Sequence, residues 1–313
     1  MLYYRTNLGE SHCGDSHELI VTELADDSVD LVVTSPPFAL LRQKEYGNEN
    51  QENYVDWLCE FARLLLPKLK ETGSLVIDLG SAYNKGEPTY SLYQFRVLIK
   101  LCDELGYKLA QPFYWHNTSA LPAPIEWVNK RKIRAKNSVN TVWWLSKTNN
   151  PKADVTKVLT PYSDRMKKLL EKPDDFFKPN STRPSGHTMT SWTNDNGGAI
   201  PSNLLAISNS ESNSLYLRCC KEVKIKGHPA RFPSALPEFF INFLTESNDL
   251  VVDIFAGSNT TGAACEKLGR RWKSFELQED YVCASSFRFL NDVSQSTYVY
   301  ENLKNQVVIN FPV

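Results

Sequence analysis

The chain has 313 residues, 42% of them hydrophobic and 23% charged, with a net charge of −1. That length allows one large α/β domain with an appended lobe, or two small domains, and no apolar run reaches membrane-spanning length. Near-neutral charge excludes a general electrostatic attraction to nucleic acid, so a DNA-binding role requires positive charge gathered on one face.

The seven cysteines are scattered and form no C-x-x-C pair. This argues against a disulfide framework and a zinc site, and for a reduced, cytoplasmic protein. Met1-Leu2-Tyr3-Tyr4-Arg5 does not read as a signal peptide. The first segment carries Cys13-Gly14-Asp15-Ser16, and Asp15 reads as the N-cap of a helix over His17 to Leu24. After the turn Ala25-Asp26-Asp27-Ser28, the apolar run from Val29 to Val33 reads as a buried parallel strand.

Thr34-Ser35-Pro36-Pro37-Phe38 ends that run. Two consecutive prolines fix φ, remove two backbone donors and hold the preceding residues extended. The product is a stiff loop at a strand's carboxyl end, where open α/β sheets place ligands. The Ser35 hydroxyl and the Ser35 and Pro36 carbonyls are acceptors suited to an exocyclic amine, with the Phe38 ring beside them to stack on a base. On spacing alone, a plain proline-rich turn after a strand is an equal alternative.

Residues 40–53 are polar and loop-like. Tyr54 to Leu69 has apolar residues at helical spacing. Gly73 to Gly80 reads as a second strand with Asp78 near its carboxyl end, either a functional acid or a loop anchor. A helix over Tyr90 to Leu105 ends at Gly106. Phe113-Tyr114-Trp115 and Thr141 to Leu145 read as strands. Between them, Asn129 to Lys136 carries five cations in eight residues: Lys130, Arg131, Lys132, Arg134 and Lys136. Such a run is usually a solvated face, but its position favours phosphate contact.

From about Asn149 to Lys226, proline, serine, asparagine and glycine dominate. Phe176, Phe177, Trp192, Leu204 and Leu205 give this stretch something to bury, so it reads as a small lobe presenting polar loops. Its candidate DNA donors are Arg165, Lys168, Arg183 and His187; Arg165 and Lys168 share a helix face that also suits plain solvent. Gly227 to Pro233 and a helix over Leu236 to Thr245 follow. Asp249 to Gly262 then gives a strand, a glycine-containing loop and a helix start, and Trp272 to Leu277 is a strand ending near Glu276. A βαβ unit with an acid there binds ribose hydroxyls. The loop lacks G-x-G-x-x-G, so S-adenosyl-L-methionine fits better than a nicotinamide dinucleotide.

Thr34 to Phe38 is similar to the catalytic motif of DNA amino-methyltransferases, in the serine form typical of enzymes that methylate cytosine N4. The order of catalytic motif, variable lobe and cofactor loop resembles the permuted β-class. Pro161 to Lys168, Ser208 to Asn213, His228 to Pro233 and Ile254 to Gly262 carry the resemblance further. Ala256 and Asn259 depart from it, standing where relatives often have glycine.

The resemblance implies a Rossmann-like α/β methyltransferase fold with a mostly parallel, seven-stranded sheet. Residues 1–148 would form the catalytic half, 149–226 the target-recognition lobe and 227–313 the cofactor half. Catalysis would rest on Ser35, Pro36, Pro37, Phe38 and Asp78. S-adenosyl-L-methionine would be held by Glu276 at the ribose, Asp15 at the adenine, and Thr34, Asp253, Phe255, Ala256, Gly257, Ser258, Asn259, Thr260 and Thr261 at the methionine portion. His228, Arg231, Phe232 and Pro233 would close that side, and no metal is implied. The substrate would be double-stranded DNA, methylated on a flipped-out cytosine, with similarity of the lobe suggesting the inner cytosine of CAGCTG. The partner would be a cognate restriction endonuclease, functional rather than physical, and the enzyme a monomer. The alternatives are an adenine-N6 methyltransferase, an inactive DNA-binding module of the same fold and, more distantly, an oxidoreductase. None of the seventeen prolines precedes a cysteine, so the Pro-Cys nucleophile of cytosine-C5 enzymes is absent.

Overall fold

The computed structural model describes residues 1–39, 53–172, 195–211 and 213–312. The chain divides into two compact units, residues 1–153 with 203–313 and residues 154–202. Residues 203–226, read from composition as part of the lobe, thus cluster with the larger unit.

That unit is built on a ten-stranded sheet with the order β10-β1-β2-β9-β8-β3-β4-β6-β5-β7. The strands are β1 Leu2–Arg5, β2 Gly9–Cys13, β3 Val29–Thr34, β4 Leu69–Leu79, β5 Lys108–His116, β6 Val139–Ser146, β7 Leu204–Ala206, β8 Leu250–Asp253, β9 Arg271–Glu276 and β10 Ile309–Asn310. The sheet is mostly parallel, as expected, but has ten strands rather than seven. β10 adds two residues beside β1, and β7 adds three beside β5. Pieces that short carry no usable alternation of apolar and polar residues.

Every residue of β3 is buried, which is why its apolar run reads through without alternation. Its one charged member, Asp30, accepts from Lys70 Nζ at 2.8 Å and from the Leu250 amide at 3.0 Å. On one face of the sheet, helices α1 Ser16–Glu23, α2 Tyr54–Leu65 and α3 Tyr93–Asp103 bury Leu19, Ile20, Leu58, Phe61, Tyr93 and Val97 in a core with Val32, Ile77 and Trp143. The next residue of β6, Trp144, points the other way and packs on Phe243 of α6 Ala235–Leu244, where Phe113 meets Phe240. Successive side chains of a strand face opposite layers, so the sheet is covered on both sides. Of the other helices, α5 is Leu215–Glu222, α7 Thr260–Leu268, α8 Glu279–Ser285 and α9 Ser296–Lys304.

β3 and β8 lie side by side and parallel. From β3 the chain moves on to β4 on one side, whereas β8 leads through α7 to β9 on the other. The order reverses between them, and ligands of open α/β sheets bind at the carboxyl ends of strands at such a switch point.

The smaller unit contains α4 Asp164–Glu171, capped by the Ser163 side chain accepting from the Met166 amide. A bridge joins Thr160 to Ala199, and Tyr162 Oη donates to Asp195 Oδ1 at 3.1 Å.

Candidate active site

A cavity of about 260 Å³ opens at the switch point. Its walls come from the carboxyl ends of four strands. Ser35 to Phe38 follow β3, Ile254 to Ser258 and Thr260 follow β8, Glu276 and Leu277 end β9, and Asp15 to His17 follow β2. Trp57 and Phe61 of α2, with His228 and Ala230 to Phe232, complete it.

At one end, Ser35 Oγ donates to Asp78 Oδ2 at 3.1 Å, and Asn140 Nδ2 donates to Asp78 Oδ1 at 3.0 Å. Asp78 is 4% exposed. Burial pushes its carboxyl up to about 7, although the Asn140 and Ser35 hydrogen bonds favour the ionised form. Because Ser35 gives its hydrogen to Asp78, its oxygen lone pairs remain free to accept. Phe38 lies against Gly80, where an added Cβ would stand 2.3 Å from the ring's Cε2. Tyr93 Oη donates to the Gly80 carbonyl and fixes that backbone.

At the other end, Glu276 accepts from the Gly257 amide at 2.8 Å and the Gln278 amide at 2.9 Å. Burial raises its affinity for a proton against those two bonds. Gly257 has φ +51°, and an added Cβ would lie 3.0 Å from the His228 ring. Burial holds His228 down at about 4, so its ring is neutral at pH 7. Asp15 caps α1 by accepting from the His17 amide at 2.9 Å, which combines the cap reading with a place on the cavity wall. An aromatic wall runs between the two ends. His17 stacks on Phe61 with ring centres 3.7 Å apart, and Phe255 packs against Phe61 and Trp57 at 4.9 and 5.5 Å.

Several residues expected at the cofactor lie behind the wall instead. Asp253 is 1% exposed and accepts from Thr34 Oγ1 at 2.8 Å, Thr261 Oγ1 at 2.7 Å and the Phe255 amide at 3.1 Å. This clasp ties β3 to β8 and the loop beneath the cavity, and burial pushes Asp253 up to about 6. Asn259 is fully buried with φ +51°; its side chain caps α7 by accepting from the Gly262 amide at 3.0 Å, and Nδ2 donates to Tyr4 Oη at 2.9 Å. Pro233 does not line the cavity. Arg231 lines it while its guanidinium is engaged by Glu211 and the His228 carbonyl. Arg288 braces the same wall, donating to the Ser258 carbonyl at 2.6 Å.

The basic run is exposed from Lys130 to Lys136. Lys130 pairs with Glu126 at 3.3 Å, Arg131 lies over the Trp127 ring at 5.1 Å, and Arg134 donates to the Pro88 carbonyl at 3.0 Å. Lys132 has φ +54°. Arg165 and Lys168 are exposed on α4 of the smaller unit. Arg183 and His187, with the lobe aromatics Phe176, Phe177 and Trp192, lie outside the described residues.

His17, Trp57, Phe61, Gly80, Asn140 and Arg288 were not anticipated. One cluster of metal-ligand type occurs among the described residues, Glu10, His12 and Glu23, and Lys273 Nζ stands 2.9 Å from Glu10 within it. Among the described residues no helix is long and apolar enough to cross a membrane.

Residues 29–286 match the family model for N6/N4 methyltransferases, described as DNA methylase. The Type II methyltransferase M.PvuII of Proteus hauseri is 60% identical over 306 residues, 96% of this chain and 90% of that protein. Among solved structures, the PvuII DNA methyltransferase, cytosine-N4-specific, superposes with a TM-score of 0.82 and 49% identity over 100% of this chain and 98% of that one. The M1.HpyAVI–SAM complex matches at TM-score 0.53 and 18% identity, covering 90% of this chain and 98% of that one, a likeness of fold. The family expected from the motif order is the one these matches return.

Proposed function

Because the chain belongs to the N6/N4 DNA methylase family, we propose that it transfers a methyl group from S-adenosyl-L-methionine to the N4 amine of a cytosine flipped out of double-stranded DNA. The observation that carries this reading is the Ser35–Asp78 pair, set at the end of a cavity whose far wall holds Glu276. The cavity's donor set suits the cofactor. Carboxylates of Glu276 and Asp15 match a ribose diol and an adenine amine, and the wall of Phe255, Trp57 and Phe61 matches a flat base.

When bound, S-adenosyl-L-methionine supplies an electrophilic methyl group on a positively charged sulfur. The chain's work is to make a poor nucleophile attack it, since the cytosine amine delocalises its lone pair into the ring. Phe38, braced on Gly80, stacks on the extruded base. The Ser35 hydroxyl oxygen and the Pro36 carbonyl accept the two amine hydrogens and turn the nitrogen pyramidal. These acceptors are fixed before reaction, where positive charge develops. Asp78, with its carboxyl at about 7, takes the departing proton through Ser35 Oγ at neutral pH. Thr34, Asp253 and Thr261 act beneath the site by fixing β3 against β8.

For the target, the reading is the inner cytosine of CAGCTG, supported by the 60% identity to M.PvuII, as the protective half of a cytoplasmic restriction-modification pair. A monomer treats each strand of the palindrome in turn. The test is to methylate a plasmid with the purified protein and challenge it with an endonuclease that cuts CAGCTG. Resistance at that site alone supports the assignment, and cleavage of fully methylated plasmid refutes it.

A further inference from the structure

The loop between β5 and β6 is a built platform rather than a loose connection. The Asn117 amide donates to the Ser138 carbonyl at 2.8 Å and closes its base. Within it, the Val128 amide donates to Pro124 at 3.0 Å, the Asn137 amide to Ala123 at 2.9 Å, and Lys136 Nζ to Ala120 at 3.0 Å. It is rooted beside the catalytic pair. Asn137 Nδ2 donates to Ser81 Oγ at 2.8 Å, one residue beyond the glycine under Phe38, and Asn140 at the start of β6 holds Asp78. From this fixed base two large aliphatic side chains project into solvent: Leu121 is 81% exposed and Ile125 61%. A lone exposed leucine is ordinary. Here two stand four residues apart on a stiff scaffold, and residues 117–138 hold five cations against the single acid Glu126, in a chain whose net charge is −1.

We propose that Leu121 and Ile125 form an apolar wedge that enters the base stack beside the target cytosine, while Lys130, Arg131 and Lys132 hold the flanking phosphates. The inference rests on the proposed function and adds the residues that extrude the base. Apolar side chains inserted between base steps unstack and kink a duplex, and the surrounding cations supply the charge complement that a second protein copy of the same sign would lack. Phe38 then receives what the wedge displaces. The wedge acts on duplex opening and not on the reacting atoms, so its residues are positioning residues.

The test compares wild type with the Leu121→Ala/Ile125→Ala double variant in single-turnover methyl transfer. Two duplexes are used: one with the target cytosine paired to guanine, and one with it opposite an abasic site, where no pair need be broken. The variant should be slower by about tenfold or more on the paired duplex and within about twofold of wild type on the abasic one. Leu121→Met, which keeps the bulk, should stay near wild type on both. Equal rates on the paired duplex would overturn the wedge, as would equal losses on both, which mark a binding or folding defect. If the variant changes sedimentation from dimer to monomer with both rates intact, the face joins copies of the chain and the wedge is refuted. Failure of the wild type on both duplexes would instead refute the underlying function.

Discussion

Asp78→Asn separates the chemistry assigned to this carboxyl from its effect on folding. Burial moves the group from 3.8 to about 7, so between those values the folded chain holds a proton that the unfolded chain has released. The folded state binds more protons, and stability therefore falls as pH rises through that window. At about 1.36 kcal/mol per unit, three units cost about 4 kcal/mol at pH 8 and under about 2 kcal/mol at pH 5. Asparagine keeps the shape, can still accept from Asn140, and has no charge to bury. Urea unfolding of the ligand-free protein should show the variant gaining about 2–3 kcal/mol more over wild type at pH 8 than at pH 5. Its methyl transfer should fall by about two orders of magnitude or more, whereas wild-type transfer rises with pH up to about 7 as Asp78 ionises. An advantage for the variant that is the same at both pH values would refute the buried-carboxyl reasoning. Near-normal turnover would remove Asp78 from the chemistry.

Three further substitutions probe the rest of the cavity. Gly80→Ala drives a methyl group to 2.3 Å from Phe38 Cε2; kcat/KM should drop by about tenfold or more, with a stability loss of about 1–3 kcal/mol by thermal melting. Glu276→Gln replaces the carboxylate that accepts from Gly257 and Gln278, and calorimetry should find S-adenosyl-L-methionine binding weakened by about tenfold or more. Asn259→Ala removes a helix cap and leaves at φ +51° a residue that tolerates the left-handed backbone less well than asparagine; it should cost about 2 kcal/mol of stability while leaving cofactor affinity of the folded protein unchanged. A weakened affinity there would return Asn259 to the cofactor site.

The central strands were legible because burial on both faces leaves a continuous apolar run, as in Leu31 to Val33 and Leu250 to Val252. The strands away from the centre were not. β2 reads Gly-Glu-Ser-His-Cys, and its strand conformation rests on pairing with β1 on one side and, on the other, with β9, whose residues lie more than 260 positions away in sequence. The site followed the same division. Ser35 and Asp78 stand at the ends of two readable strands, and their meeting follows from β3 pairing parallel to β4. Asn140 reaches Asp78 only because β6 runs antiparallel to β4, and Trp57 and Phe61 read simply as the apolar face of a helix. Asn259 carried a signal that was available: asparagine before a helix start favours both the cap and the left-handed backbone it adopts.

Every residue role assigned above serves the transfer of a methyl group to cytosine N4. Its most direct test incubates the wild-type protein with methyl-labelled S-adenosyl-L-methionine and plasmid DNA, digests the DNA to nucleosides and measures them by mass spectrometry. Label should appear in N4-methylcytosine; label in N6-methyladenine, or in no nucleoside, would contradict transfer to cytosine N4.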